Sequence, residues 1–285
     1  MARYKFRLLN VFAEQTFGGN PLCVFEDGRG LTDEQMMLLT RQFNLSETTF
    51  ILPADIPRVR VFTPGYEMAF AGHPTLGTAQ VVREVYGTGD QITLAFKAGL
   101  VPVRAQGDVW TLSPPLSQAP TWRAADESPA LIAGLLGLSE DDLADAPCWV
   151  DTGADQLLIP VKTADAVSRA AIDASRISQW PLSSLGRQTG YVFAIGQDTG
   201  NTLEVNARYF FFTGGVVSED PGTGSACANL GAWLAHRRDR AAISARVTQG
   251  EKMGRLCRLW LNVDAQKRIE VGGQVIEIGR GEVDI

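Results

Sequence analysis

Three titratable residues stand in sequence contexts that suit proton transfer to and from a small molecule. His73 and Asp220 each precede a proline within a Gly-rich turn that leads into a predicted helix. Glu47 lies within residues 45–52, where the side chains alternate as in a strand. Histidine and carboxylate side chains are common general acids and bases, so these three residues are candidate catalytic groups.

Each of these residues also has an ordinary structural interpretation. His73 and Asp220 could cap the helices that follow them, and capping is far commoner than catalysis. Glu47 could be a solvent-facing strand residue on the same face as Thr49 and Ile51. If that face lines an apolar cleft instead, burial would raise the pKa of the Glu47 carboxyl group, which suits proton transfer near neutrality.

The two halves of the chain repeat one pattern, and this repetition favours the catalytic interpretation. The His73-Pro74 step corresponds to Asp220-Pro221, and residues 77–79 (Gly-Thr-Ala) correspond to residues 224–226 (Gly-Ser-Ala) at the same spacing. Two further segments match in the same order along the chain. The sequence therefore predicts two duplicated domains with the candidate residues at equivalent turns.

Short strands and one mainly apolar helix in each half must position these residues. Proline is favoured in the first helical turn, so Pro74 and Pro221 predict two helix starts. Residues 222–235 are small and apolar on nearly every face, which predicts a helix enclosed at the centre of its domain. Because helix N-termini attract anions, the two turns predict a site for a small carboxylate in a cleft between the domains.

A Pro-rich segment and the C-terminal strand set the predicted limits of the two domains. A Pro-rich break at residues 113–120 gives an N-terminal domain of residues 1–117 and a C-terminal domain of residues 118–271. The last predicted strand, near residues 269–278, leads into a segment of about 272–285 that could complete the sheet of the first domain.

Two additional helices are predicted, and the first of them is peripheral. A capping box at Thr32 and Gln35 opens a helix with an apolar stripe that ends near Asn44. A second helix is predicted around residues 128–138.

Composition and charge exclude several classes of function. The 285 residues include 26 Lys and Arg against 32 Asp and Glu, a net charge of −6, which disfavours nucleic acid and anionic membranes as partners. Neither a secretory apolar block nor an apolar run of membrane-spanning length occurs, which predicts a cytoplasmic protein. The four cysteines are far apart and only two histidines occur, so we expect reduced thiols and no metal centre.

Several motifs together resemble the PhzF-like family of phenazine-biosynthesis proteins. They are the residues around Glu47 (Ser-Glu-Thr, 46–48), the turn of residues 71–77 (Ala-Gly-His-Pro-Thr-Leu-Gly) and the turn of residues 219–226 (Glu-Asp-Pro-Gly-Thr-Gly-Ser-Ala). The opening segment, which ends in Gly18-Gly19-Asn20-Pro21, is similar as well. The resemblance covers essentially the whole chain.

The resemblance implies an α+β fold of two pseudo-symmetric, diaminopimelate-epimerase-like domains. Each domain would be a curved, mostly antiparallel sheet or barrel around a central helix, with the active site between the domains. The resemblance further implies a homodimer, no cofactor, and isomerisation by moving a proton from one ring carbon to another, as on a dihydro-hydroxyanthranilate. Related racemases of this fold use two cysteines at the helix starts. This chain has no cysteine at either turn, so a two-thiol racemase is disfavoured.

The resemblance also suggests roles for individual residues. Glu47 would be the acid/base shuttle, while His73 and Asp220 would position the substrate and assist proton transfer. The amides around Gly72 and Gly224, together with the Ser225 hydroxyl, would hold the substrate carboxylate. Asn20 would line the cleft.

Three functions are compatible with this pattern. The leading hypothesis is a cofactor-independent isomerase that acts on a small carboxylated, cyclic or unsaturated metabolite. The same proton abstraction could end in elimination, which would make the protein a lyase. A third alternative is a small-carboxylate-binding protein without turnover, because a fold and a cleft do not by themselves establish a reaction.

Overall fold

A computed structural model describes residues 1–114, 119–200, 202–238 and 242–285 of the chain. Two compact units divide the chain, Met1–Pro115 with Gly272–Ile285 (unit 1) and Leu116–Val271 (unit 2). The boundary predicted near residue 117 lies outside the described residues.

The elements of unit 1 are eight strands and two helices, followed at the end of the chain by most of one further strand. In chain order they are β1 (Arg3–Val11), β2 (Asn20–Phe25), α1 (Asp33–Phe43), β3 (Thr48–Leu52), β4 (Arg58–Phe62), β5 (Glu67–Met68), α2 (Gly72–Tyr86), β6 (Gln91–Phe96), β7 (Gly99–Gln106) and β8 (Val109–Leu112), with β17 (Ile269–Asp284) last.

The elements of unit 2 are eight strands and three α-helices. They are β9 (Thr121–Ala124), α3 (Pro129–Leu135), β10 (Cys148–Asp151), β11 (Asp155–Pro160), α4 (Ala164–Arg169), β12 (Thr189–Asp198), β13 (Leu203–Thr213), β14 (Val216–Asp220), α5 (Gly224–Arg237), β15 (Ile243–Gln249) and β16 (Cys257–Val263).

Strand pairing closes unit 1 into a barrel. The pairs run from β1 through β2, β3, β4, β6, β7 and β8 to β17, and β17 returns to β1. The β1–β17 pairing is antiparallel and joins Arg3 to Asp284 at one end and Val11 to Val275 at the other. Closure leaves no strand edge within this ring of eight strands.

Helix α2 runs through the middle of the barrel. It contacts β1, β2, β3, β6, β7 and β8, and its residues from His73 to Ala79 are all buried. Gly77 allows the close approach, since a Cβ there would come within 2.5 Å of the Leu22 side chain. A helix enclosed in this way can be apolar on most of its faces.

Helix α1 packs on the outside of the barrel, as predicted. Thr32 and Gln35 form the expected capping box, and Asn44 ends the helix in the left-handed conformation. The buried side chains of Met36 and Leu39 join an aromatic cluster on the outer face of the strands. Ser128 likewise caps α3, which begins one residue later at Pro129.

The strands β10–β16 of unit 2 pair in the same order as the strands β1–β7 of unit 1. A parallel pair, β2–β3 or β11–β12, is followed by two antiparallel pairs and then by a second parallel pair, β4–β6 or β13–β15. Helix α5 packs against β10, β11, β15 and β16, and it is buried from Ala226 to Leu234. The predicted α+β fold, with two pseudo-symmetric halves each built around a central helix, is confirmed.

Two local predictions were wrong in detail. Helix α5 begins at Gly224 rather than at Pro221, because β14 continues to Asp220 in its pairing with β13. The strand predicted from Leu45 begins only at Thr48, so Glu47 directly precedes β3. The alternative interpretation of Asp220 as a helix cap does not hold, because the N-cap residue of α5 is Thr223.

In the part of the chain that the structure describes, none of the helices combines the length and the apolar character that a membrane crossing requires.

Candidate active site

The position of His73 follows from the start of α2. Ala71 is the N-cap residue and makes no side-chain capping bond, so His73 is the second residue of the helix and not its cap. Its side chain is 7% exposed and lies inside unit 1. The capping interpretation of His73 therefore does not hold.

Burial keeps the His73 imidazole uncharged. Desolvation lowers its pKa from the ordinary 6.5 to about 3, while a hydrogen bond with the Pro21 backbone acts weakly in the opposite direction. At neutral pH the ring is thus a neutral group with one N–H donor and one nitrogen acceptor.

Glu47 and Asn20 lie on either side of this ring. The Glu47 carboxylate oxygen Oε2 is 3.5 Å from His73 Nε2, and the Asn20 side-chain nitrogen is 3.4 Å from His73 Nδ1. Asn20 is fully buried, and the Glu47 side chain is 17% exposed. Since the imidazole is neutral, the contact joins a carboxyl group to a polarisable hydrogen-bonding ring rather than two full charges.

A pair of buried threonines fixes β3, the strand that directly follows Glu47, against helix α2. The Thr49 and Thr78 hydroxyl oxygens are 2.8 Å apart, and both residues are buried. Thr49 and Glu47 both face α2, since Thr49 contacts Thr78 and Glu47 contacts His73 on that helix. Sequence analysis placed Glu47 and Thr49 on one face but did not identify Thr78 as the partner.

Asp220 belongs to unit 2, at the end of β14. Its carboxylate accepts a hydrogen bond from the Thr223 hydroxyl. The buried Gln249 side chain donates to the Asp220 carbonyl oxygen at 2.8 Å and to the Thr223 hydroxyl oxygen at 3.0 Å, and it accepts from the Thr223 amide at 3.3 Å. Gln249 and Thr223 therefore hold the turn in shape, and sequence reasoning missed both residues.

Ser225 occupies the helix position in unit 2 that His73 occupies in unit 1. Gly224 is the first residue of α5 and Ser225 the second, just as Gly72 and His73 begin α2. The Ser225 hydroxyl accepts a hydrogen bond from Gln156 at 2.9 Å. The sequence repeat aligned His73 with Asp220, whereas by helix position its counterpart is Ser225.

A separate cavity of about 450 Å³ lies elsewhere in unit 2. It is lined by Trp149 and Trp180 among others, and none of the predicted site residues borders it. Both tryptophans belong to the apolar core that packs with α3 and α4. The cavity is therefore unconnected with the predicted chemistry.

The described residues contain no group of three or more His, Cys, Asp or Glu side chains arranged to hold a metal ion. Burial raises the pKa of the Cys227 thiol in helix α5, which fits a packing role for this residue.

The predicted residues thus form two clusters. In unit 1, Asn20 and Glu47 contact His73, and Gly72 precedes it. In unit 2, Asp220 stands immediately before the turn that leads to Gly224 and Ser225. That both clusters serve one substrate remains a prediction.

The fold defines a protein of the diaminopimelate-epimerase-like class, with a carboxyl–imidazole contact between Glu47 and His73 in one half. Comparison with known proteins gives the family. The chain belongs to the family described as phenazine biosynthesis-like protein (PhzC-PhzF), whose model matches residues 9–281.

Named relatives include isomerases. The chain is 39% identical to an uncharacterized isomerase of Pasteurella multocida, over 98% of this chain and 94% of that protein. It is 30% identical to the trans-2,3-dihydro-3-hydroxyanthranilate isomerase of Pseudomonas aeruginosa, over 98% of each chain. Both similarities support an isomerase.

A solved structure agrees with the fold. The PhzF-family phenazine biosynthesis protein of Bacillus anthracis superposes with a TM-score of 0.86 at 24% identity, over 100% of both chains.

Proposed function

We propose that the protein is a cofactor-independent isomerase that moves a proton between two carbon atoms of a small carboxylated, cyclic or unsaturated metabolite. Glu47 is the proton shuttle, and His73 and Asp220 position the substrate and assist the transfer. The observation that carries the proposal is the enclosed contact between Glu47 and the neutral imidazole of His73.

The chemistry requires one basic group that becomes an acid within the same turnover. The Glu47 carboxylate takes the proton as the C–H bond breaks, and the electron pair is delocalised into the adjacent unsaturated system. The protonated Glu47 then returns the proton to another carbon of that system, so no atom is gained or lost. Such positioned acid/base catalysis contributes about 10²- to 10⁴-fold.

The surroundings of Glu47 suit both steps. The single N–H of the neutral His73 ring donates to the Pro21 carbonyl oxygen, so Nε2 is left as an acceptor. Nε2 can therefore accept a hydrogen bond from Glu47 when Glu47 carries the proton, and it forms no permanent ion pair with the carboxylate. The first N–H groups of helices α2 and α5 have no acceptor within their own helices, so they can bind a carboxylate or stabilise developing negative charge. Gly72, Gly224 and Ser225 belong to these first turns.

The substrate we propose to test first is trans-2,3-dihydro-3-hydroxyanthranilate, on which the Pseudomonas aeruginosa relative is named as acting. It combines a carboxylate with an unsaturated ring. The residues proposed to act on it are Glu47 and His73 in unit 1 and Asp220 and Ser225 in unit 2.

Replacing Glu47 by Gln tests the shuttle. We expect Glu47→Gln to reduce turnover at least 100-fold, because an amide cannot accept and return the proton. NMR and mass spectrometry in deuterated water would follow product formation and deuterium incorporation. Glu34→Gln, an exposed change on α1, is the matched control and should retain full activity.

Three results would decide between the alternatives. Unchanged turnover by Glu47→Gln would refute the shuttle. A product lighter by the mass of an eliminated group would indicate a lyase. Tight binding with neither deuterium exchange nor conversion would indicate a binding protein.

A homodimer is part of the proposal. It rests on the family to which the chain belongs. Sedimentation equilibrium of the full chain should give twice the 30.9 kDa mass of one chain, and a single-chain mass would contradict it.

A further inference from the structure

A chain of hydrogen bonds inside unit 2 ends on the Ser225 hydroxyl. The Thr152 backbone N–H donates to Asn229 Oδ1 at 2.9 Å, and Asn229 Nδ2 donates to Gln156 Oε1 at 2.8 Å. Gln156 Nε2 then donates to Ser225 Oγ at 2.9 Å. Thr152, Asn229 and Gln156 are buried, whereas Ser225 is exposed at the start of α5.

Backbone groups fix the direction of this chain at its buried end. A backbone N–H can only donate and a backbone carbonyl can only accept. Asn229 Oδ1 faces the Thr152 N–H, and Asn229 Nδ2 faces the Ala154 carbonyl oxygen at 2.9 Å. Rotating the amide by 180° would break both contacts, so Asn229 must present an N–H to Gln156.

The orientation of the Asn229 amide in turn fixes the orientation of the Gln156 amide. Its oxygen faces the Asn229 N–H, so its nitrogen must face outward, with two N–H groups to place. One donates to Ser225 Oγ and the other to the Tyr209 hydroxyl oxygen at 3.3 Å. Gln156 is 4% exposed, and an incorrectly directed amide at such a site would leave buried polar groups unsatisfied.

The orientation of the Gln156 amide determines where the hydroxyl proton of Ser225 points. An N–H directed at Ser225 Oγ repels the hydroxyl proton from that side, so the O–H bond points away from Gln156. Ser225 then offers a donor to whatever binds at the first turn of α5. A carboxylate oxygen accepts such a bond with additional strength because it is charged.

We infer that Gln156 is a positioning residue that makes Ser225 a hydrogen-bond donor and so selects a carboxylate at the start of α5. The inference rests on the proposed function for the identity of the substrate class. The inference adds a physical cause for the preference for a carboxylate. The backbone N–H of Thr152 sets the direction of the hydrogen bonds that end at Ser225.

The test compares a carboxylate with its amide. Anthranilate and anthranilamide are unreactive probes, and calorimetry on the full chain gives the Kd of each. We expect anthranilate to bind more tightly, and Ser225→Ala to weaken it about tenfold, since a hydrogen bond to a charged group is lost. Gln156→Met should weaken anthranilate about threefold to tenfold and anthranilamide much less.

The double variant separates positioning from general damage. If Gln156 acts through Ser225, Gln156→Met should cause no further loss in the Ser225→Ala background. Gln188→Met is the matched control, because the part-buried Gln188 amide donates to the Ile177 carbonyl oxygen and not to Ser225. It should leave both Kd values unchanged.

A measurement without ligand keeps the inference testable if Gln156→Met fails to fold. In the NMR spectrum of the full chain, Ser225→Ala should shift the side-chain NH₂ signals of Gln156 and leave those of Gln188 in place. Unshifted Gln156 signals would overturn the inference. The inference would also be overturned if the losses of anthranilate affinity in the two single variants multiplied in the double variant. It would be overturned as well if the unmodified protein did not bind anthranilate measurably.

The two proposals can fail separately. If no proton exchange occurs but the carboxylate preference depends on Gln156 and Ser225 together, the positioning role stands without the isomerase. If the isomerase is active but Gln156→Met weakens both probes equally, the positioning role fails alone.

Discussion

At the scale of single residues, the proposed chemistry depends on the burial of His73 away from water. The residue is buried in the second position of α2, next to Glu47 and the Pro21 backbone. An exposed histidine would titrate near neutrality, whereas this ring stays neutral down to about pH 3. The protonation state of the site is therefore set by burial.

This burial makes stability depend on pH in a defined window. Between pH 6.5 and about 3 the unfolded chain binds a proton at residue 73 that the folded chain excludes. The free energy of unfolding should therefore fall as the pH is lowered from 6.5, by about 1.4 kcal/mol per pH unit from this residue alone. Urea unfolding between pH 6.5 and 4.5 measures the slope.

The control for this prediction is His73→Gln, which removes the titrating group but keeps a polar side chain. Its unfolding free energy should change less with pH over the same window. Parallel slopes for the two proteins would show that His73 is accessible to protons in the folded state.

At the scale of elements, the turn between β14 and α5 is held from β15. Gln249, the last residue of β15, bonds to both ends of the turn, and Gly250 follows it in the left-handed region with φ of +79°. A Cβ on Gly250 would lie 2.7 Å from the Pro221 carbonyl oxygen and 2.3 Å from that of Arg255. The place of Asp220 is thus fixed by residues distant in sequence.

Adding one methyl group at Gly250 should disturb this turn. We expect Gly250→Ala to reduce the free energy of unfolding by about 3 kcal/mol or more, because it combines an unfavourable φ with backbone overlap. Gly254→Ala is the matched variant, with φ of +66° and open space around its Cβ, and should cost only about 1 kcal/mol. Equal losses measured by urea unfolding would show that the overlap relaxes without cost.

At the scale of the whole chain, residues near its two ends are joined within the unit 1 barrel. The Arg7 guanidinium on β1 lies 2.7 Å from Glu26, 2.5 Å from Glu84 on α2 and 2.8 Å from Glu277 on β17. The Arg7 side chain is only 9% exposed. One buried cation therefore ties the closing strand to the first strand and to the central helix.

Removing this cation should destabilise the barrel strongly. Arg7→Met leaves three glutamates without their shared partner, and breaking a buried ion pair from one side costs about 3 kcal/mol or more. Arg280→Met removes a 66%-exposed partner of the same Glu277 and should cost less than about 1 kcal/mol. Similar midpoints in chemical denaturation would contradict the proposed role of Arg7.

The sequence predicted correctly those features that depend on residues close together along the chain. The capping box at Thr32 and Gln35 gave α1, and the composition after Pro221 indicated the enclosed helix α5. Alternation placed Glu47 and Thr49 on one face. These inferences succeeded because helix caps, amphipathic patterns and strand alternation are written within a few residues of one another.

Tertiary structure decided what depends on partners far along the chain. Asp220 ends a strand and does not begin a helix, because β14 pairs with β13 and that pairing continues to Tyr209 opposite Asp220. The neutrality of His73 and the amide chain from Thr152 to Ser225 likewise arise where distant segments meet. Burial and hydrogen-bond direction depend on the residues that surround a group in three dimensions. The sequence alone therefore proposed candidate reactive groups but could not determine the states in which they are held.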